Sequence, residues 1–155
     1  MNFGRPRRNT SSLRRPVIVL DTLVVVSALI GPERGSSRQV VWAVATGEVR
    51  LAVSDDFFKE VSRVIRYPDV TRNIRGPVRA FEVATEIALM GEMNRPRKLD
   101  WPSLRDPKDG WMLDLAWNSV ADYIVTRDPH LLNFTPPFPV QVWEPHQLLA
   151  DLGLR

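Results

Sequence analysis

The chain has 155 residues, 44% hydrophobic and 25% charged, and contains no cysteine. That length supports one domain with a sizeable core, and the absence of cysteine excludes a disulfide framework and any thiolate metal site. The formal charge of +3 is unevenly placed: residues 1–16 hold five arginines (Arg5, Arg7, Arg8, Arg14, Arg15) and no acid, leaving 16 basic against 18 acidic residues elsewhere.

Residues 1–15, with Asn, Ser, Gly and Pro among the arginines, read as a disordered basic leader ahead of a single domain over 16–155. A solvated leader is the ordinary reading, and an arm gripping nucleic acid the functional one. The segment RRPVIVLDTLVVVSALIG (14–31) then offers two readings. A secretory signal needs an unbroken apolar centre and a small-residue cleavage site. Asp21 interrupts the centre and no A-x-A follows. No uninterrupted apolar run reaches the ~18 residues of a membrane-spanning helix, and a cytoplasmic protein is expected. The segment reads better as a strand, Val17 to Leu20, buried on both faces, with Asp21-Thr22 opening a helix to about Ile30.

Ser36 to Gly47 has helical apolar spacing, and Val49 to Val53 reads as a strand. Ser54-Asp55-Asp56 opens a helix that runs to about Arg66, where Tyr67-Pro68 stops it. A longer amphipathic helix is predicted over Gly76 to Met93, and a Pro- and charge-rich loop over Asn94 to Lys108. Asp109 to Val120 reads as a helix, Tyr123 to Thr126 as a buried strand, Asp128 to Leu132 as a helical turn and Val140 to Trp143 as a strand. A final helix starts near Pro145. This alternation predicts a three-layer αβα sandwich around a mostly parallel sheet of about five strands, of which four can be placed.

Four carboxylates stand out. Asp21 and Asp128 each follow a buried strand, and the carboxyl ends of parallel strands share the rim where ligands bind. Glu60 borders the Phe57–Val61–Val64 stripe of its helix and needs a partner such as a cation, unless its side chain reaches solvent. Asp109 begins a helix, where capping alone would account for it, and Asp106 could share that role. Asp114 points about 140° away from Asp109 around the helix and does not join it. Clustered carboxylates repel unless cations neutralise them. Oxygen-only sites suit Mg²⁺ or Mn²⁺, which can activate water and hold the charge of an in-line displacement on phosphorus.

The stretches VIVLDTLVVVSAL, LAVSDDFFKEVSRVIRYP and DPKDGWMLDLAWNSVADYIVTRDPHLL resemble the PIN-domain family, in particular the ribonuclease toxins (VapC-like) of toxin–antitoxin pairs. The likeness covers about Val17 to Leu149, and its toxin subgroup carries S-x-x-x-x-x-E at the second acid, here Ser54 and Glu60. The resemblance implies that Asp21, Glu60, Asp109 and Asp128 form a catalytic, metal-binding acidic quartet. It further implies Mg²⁺ or Mn²⁺, hydrolysis of single-stranded RNA, a cognate antitoxin protein and a homodimer. Thr126 matches a hydroxyl that supports the cofactor site, and Ser27 a polar position near it. One departure concerns Leu23, which stands where the family usually has Asn; this puts metal affinity and rate in doubt.

The other features have plainer readings. His130 reads as a turn residue and His146 as surface. Of five tryptophans, Trp101 and Trp111 are the exposed candidates for base stacking. Arg127 adjoins Asp128 and could pair with the quartet or with substrate. A set of arginines and lysines that includes Arg63, Arg66, Lys98, Arg105 and Lys108 could contact phosphate. A receiver-like module that uses the acids to hold one Mg²⁺ fits poorly, because it wants paired acids straight after the first strand. A catalytically weak PIN domain that binds RNA or protein is the remaining alternative.

Overall fold

The structure, a computed structural model, describes residues 14–74 and 80–154. Of the expected disordered leader 1–15, residues 1–13 lie outside the described residues, as does the predicted start of a helix at Gly76; Arg15 is described and donates from Nη1 to Gly47 O at 2.8 Å. Five strands form one all-parallel sheet: β1 (Val17–Leu20), β2 (Arg50–Val53), β3 (Glu92–Met93), β4 (Tyr123–Val125) and β5 (Gln141–Trp143), in the order β3-β2-β1-β4-β5. Eight α-helices are described: α1 (Thr22–Ile30), α2 (Ser36–Ala45), α3 (Asp55–Val64), α4 (Pro68–Asn73), α5 (Ala80–Leu89), α6 (Gly110–Ser119), α7 (Pro129–Leu132) and α8 (Pro145–Asp151). None is long and apolar enough to cross a membrane.

The three layers follow from the pleat of the strands, whose successive side chains point to opposite faces. Ile18 and Leu20 of β1, with Leu51, Val53, Tyr123 and Val125, enter a core shared with α1, α2, α3, α5 and α8. Val17 and Val19, with Ala52 and Ile124, face a second core under α6, Trp101 and Phe138. Every residue of β1 is buried, as its unbroken apolar run requires.

Three elements differ from expectation. The helix predicted to reach Met93 ends at Leu89, and Glu92–Met93 is the fifth strand. Gly91 makes that possible, because a Cβ there would stand 2.4 Å from Val53 Cγ1, where no side chain fits. Arg50 then holds Glu92 with two hydrogen bonds of 2.7 Å, and Asn94 N donates to Val53 O at 2.8 Å. Pro68 separates two helices, serving as the first residue of α4. The loop 94–108 ends in a tight 3₁₀ turn over Pro107–Asp109.

The chain runs from β1 outward through β2 to β3, then returns to place β4 on the other side of β1. The reversal leaves a crevice between β1 and β4 at their carboxyl ends, which is where open parallel sheets bind ligands.

Candidate active site

Asp21 ends β1 and caps α1: its Oδ1 accepts from Leu23 N at 3.4 Å. It is only 6% exposed. Thr126, which is fully buried, donates from Oγ1 to Asp21 Oδ2 at 2.5 Å and accepts from Asp128 N at 3.0 Å. One hydroxyl therefore ties together the acids that follow β1 and β4. Asp128 in turn caps α7 through a bond from His130 N to Oδ1 of 2.9 Å. Burial pushes the Asp21 carboxyl above the usual carboxylate range; the Thr126 and Leu23 bonds pull it back, and the Asp128 charge adds to the rise.

Asp109 is the last residue of the 3₁₀ turn and precedes α6, but its side chain makes no cap hydrogen bond. Asp106 caps the 3₁₀ turn, with Oδ1 accepting from Lys108 N at 2.9 Å. Capping, the ordinary explanation for Asp109, thus does not account for its side chain. The Asp109 carboxyl is pushed up to about 6, first by burial and then by the charges of Asp106, Asp21, Asp128 and Glu60.

Asp21, Asp128 and Glu60 therefore each lie within electrostatic reach of Asp109, and Asp128 lies within reach of Asp21. They do not converge as they stand, because among the described residues no three acids or histidines are placed to hold a metal ion. Coulombic influence extends several ångströms, whereas a coordination shell for Mg²⁺ needs oxygens at about 2 Å. Glu60 is the acid most clearly engaged elsewhere. It is gripped by Arg63, one turn along α3, whose Nε donates to Oε1 at 3.0 Å and whose guanidinium also lies over the Tyr67 ring at 5.5 Å. The cation that Glu60 needs beside its core stripe is thus supplied from within its own helix.

Other candidates fall in different places. Ser27 is half-buried on α1, and no hydrogen bond joins it to the four acids among the described residues. Among the described residues Arg127 pairs with no acid: it donates to Ser37 Oγ at 2.9 Å and Ser36 Oγ at 3.0 Å, fastening the start of α2. Trp101 is only 8% exposed, Trp111 is half-buried against Phe57, and the exposed tryptophan is Trp42, at 69%. Asp114 is separate from the cluster, as its helical phase predicts, and accepts from Leu99 N at 3.0 Å and Trp101 Nε1 at 2.8 Å. His130 was expected to be a plain turn residue, and the structure adds a partner, with Arg105 Nη1 3.2 Å from its Nδ1. Leu23 is 47% exposed.

The donor set fits a hard divalent cation: four carboxylates, no thiolate, Asp21 and Asp109 carboxyls raised first by burial and then by neighbouring acids, and an Asp109 side chain left out of capping. No match was found among curated proteins, and none among solved structures. A scan against protein families matches residues 17–130 to the PIN domain, well over half of the chain and inclusive of all four acids. The chain belongs to the PIN-domain family, a nuclease fold whose members are generally metal-dependent.

Proposed function

We propose that this PIN domain is a divalent-metal-dependent endoribonuclease, a cytoplasmic toxin held silent by a cognate antitoxin protein. The observation that carries the nuclease reading is the Asp109 carboxyl, which makes no capping bond and lies within electrostatic reach of four other acids, Asp106, Asp21, Asp128 and Glu60. Asp21, Glu60, Asp109 and Asp128 would hold Mg²⁺ or Mn²⁺, which when bound supplies Lewis acidity for phosphodiester hydrolysis. Thr126 orients Asp21 through Oδ2 and fixes the backbone that carries Asp128. Arg105 donates to His130 Nδ1, so the pair beside Asp128 presents a cation to an RNA phosphate. The antitoxin and a homodimer rest on the family resemblance alone.

The test is cleavage of a labelled single-stranded RNA with Mg²⁺ or Mn²⁺. The expected result is cutting that EDTA abolishes and that Asp21→Asn reduces at least about a hundredfold, as loss of a ligand or its supporting contact does. Cutting that survives both treatments would sink the reading.

Leu23 favours a second reading, in which the domain binds RNA or protein but cuts weakly. It places an exposed apolar side chain where the resemblance implies an amide that supports the site. RNA bound without metal-dependent cutting, together with cutting gained in Leu23→Asn, would select this reading.

A further inference from the structure

A cavity of about 540 Å³ opens between the loop 94–108 and the start of α6. We propose that it seats one unpaired nucleobase of the RNA strand, next to the phosphate held at the acids; this inference rests on the ribonuclease reading above. The volume lies in the range of small-ligand sites, about 300–1,000 Å³. Trp101 and Trp111 contribute aromatic walls, and Lys98, Lys108, Asp56 and Asp100 bring charge of both signs to the lining.

The walls are fixed before any ligand arrives. The buried Asp114 carboxylate holds both Leu99 N and Trp101 Nε1. Trp101 packs on Phe138 with ring centroids 5.5 Å apart, and Trp111 on Phe57 at 6.1 Å. Pro96, Pro102 and Pro107 restrict the backbone around the opening.

The position gives the cavity its meaning. Lys108 and Gly110, which both line it, are the residues on either side of Asp109. The cavity thus borders the turn that carries Asp109, and a strand with a phosphate at the acids would bring a neighbouring nucleotide to this opening. Flat indole surfaces take the faces of any base, ammonium groups meet ring and carbonyl acceptors, and carboxylates meet exocyclic donors. A bare phosphate would gain nothing from the tryptophans and would be repelled by Asp56 and Asp100. A base uses both kinds of wall.

The experiment is a ¹⁵N NMR titration of the whole protein in EDTA, reading the tryptophan indole signals. The probes are the four nucleoside 5′-monophosphates, ribose 5-phosphate and inorganic phosphate. The expected result is movement of the Trp111 indole signal by at least one nucleotide, which binds at least about fivefold tighter than ribose 5-phosphate, the lower end of a stacking contribution. Lys98→Ala/Lys108→Ala should weaken nucleotide binding. Gly110→Leu should weaken it with no change of charge, because a Cβ at Gly110 meets only Trp101 Cδ1 at 3.5 Å and longer side chains enter the cavity. Unmoved signals from Trp117 and Trp143, which pack in the two cores away from the cavity lining, verify that each variant is folded. Equal effects of ribose 5-phosphate and nucleotides, or nucleotide binding that these variants leave unchanged, would overturn the proposal. If the wild type cuts RNA while no nucleotide moves Trp111, the cavity assignment falls and the ribonuclease reading stands. If it neither cuts RNA nor binds nucleotides, both fall.

Discussion

The candidate site has two unlike halves. Asp21 and Asp128 follow strands of the central sheet, each caps a helix, and both are tied to the buried Thr126 hydroxyl. Glu60 and Asp109 belong to α3 and the turn before α6. One is held by an exposed arginine and the other makes no cap bond. The first half has its geometry set by helix caps and a buried hydroxyl; in the second, Glu60 is set by a side-chain pair on an exposed helix face and Asp109 by no cap bond. The fold itself thus holds the two acids at the sheet, whereas Glu60 is held by an arginine of its own helix.

The largest expected effect comes from removing what makes the sheet half rigid. Thr126→Val leaves Asp21 Oδ2 and Asp128 N without this partner in a buried place. At about 1–3 kcal/mol for each unsatisfied group, urea unfolding should show a loss of about 2–3 kcal/mol. Metal affinity should fall about 10–100-fold, as for other partners of metal ligands. A loss below about 0.5 kcal/mol would mean that the hydroxyl is not the tie described here.

The helix half should respond in the opposite direction. The Asp109 carboxyl titrates at about 6 in the folded chain against an ordinary 3.8, so the native state holds its proton more tightly than the unfolded state. Stability should therefore fall as pH rises from about 4 to about 6, and the penalty is complete above that window. The shift corresponds to about 3 kcal/mol for a fully desolvated group; for a half-exposed carboxyl, water and salt reduce it to about 1 kcal/mol. Asp109→Asn should accordingly be the more stable protein at pH 7 without metal, and its advantage should vanish below pH 4. An advantage that is flat across pH would contradict the electrostatic account.

The smallest effect on stability is expected at Arg63. Its pair with Glu60 is a surface ion pair, and such pairs contribute little. Arg63→Gln should leave the metal-free melting temperature nearly unchanged. It should enlarge the rise produced by Mn²⁺, because Glu60 no longer has a competing cation. An unchanged response to Mn²⁺ would show that Glu60 takes no part in the site.

Much of this was legible in the sequence. The β-branched run before Asp21, the buried run before Asp128 and the hydroxyl–acid start at Ser54 each combine a strong local signal with burial, and the structure keeps them. Two other features were hidden because they depend on tertiary approach. A two-residue edge strand has no periodicity to read, and only the contact of Gly91 with Val53 reveals why the helix must end before it. The burial of Trp101 depends on Asp114, 13 residues away, so a Pro-rich loop that looked exposed is instead pinned to α6. The engagement of Glu60 could have been found, because Arg63 lies at helical i+3 spacing, where ion pairs form. That Asp106 caps its turn while Asp109 caps nothing could not, because both precede helical turns and have the same residue type.

We propose that Asp21, Glu60, Asp109 and Asp128 share a site built for a divalent cation. Thermal unfolding of the wild type and an Asp21→Asn/Asp109→Asn variant, each in EDTA, Mg²⁺ and Mn²⁺, tests it most directly, because a ligand of the native state must raise its stability. The account expects metal to raise the melting temperature of the wild type alone, and the variant to be the more stable of the two in EDTA at pH 7. A wild type that melts at the same temperature in EDTA, Mg²⁺ and Mn²⁺ would contradict it.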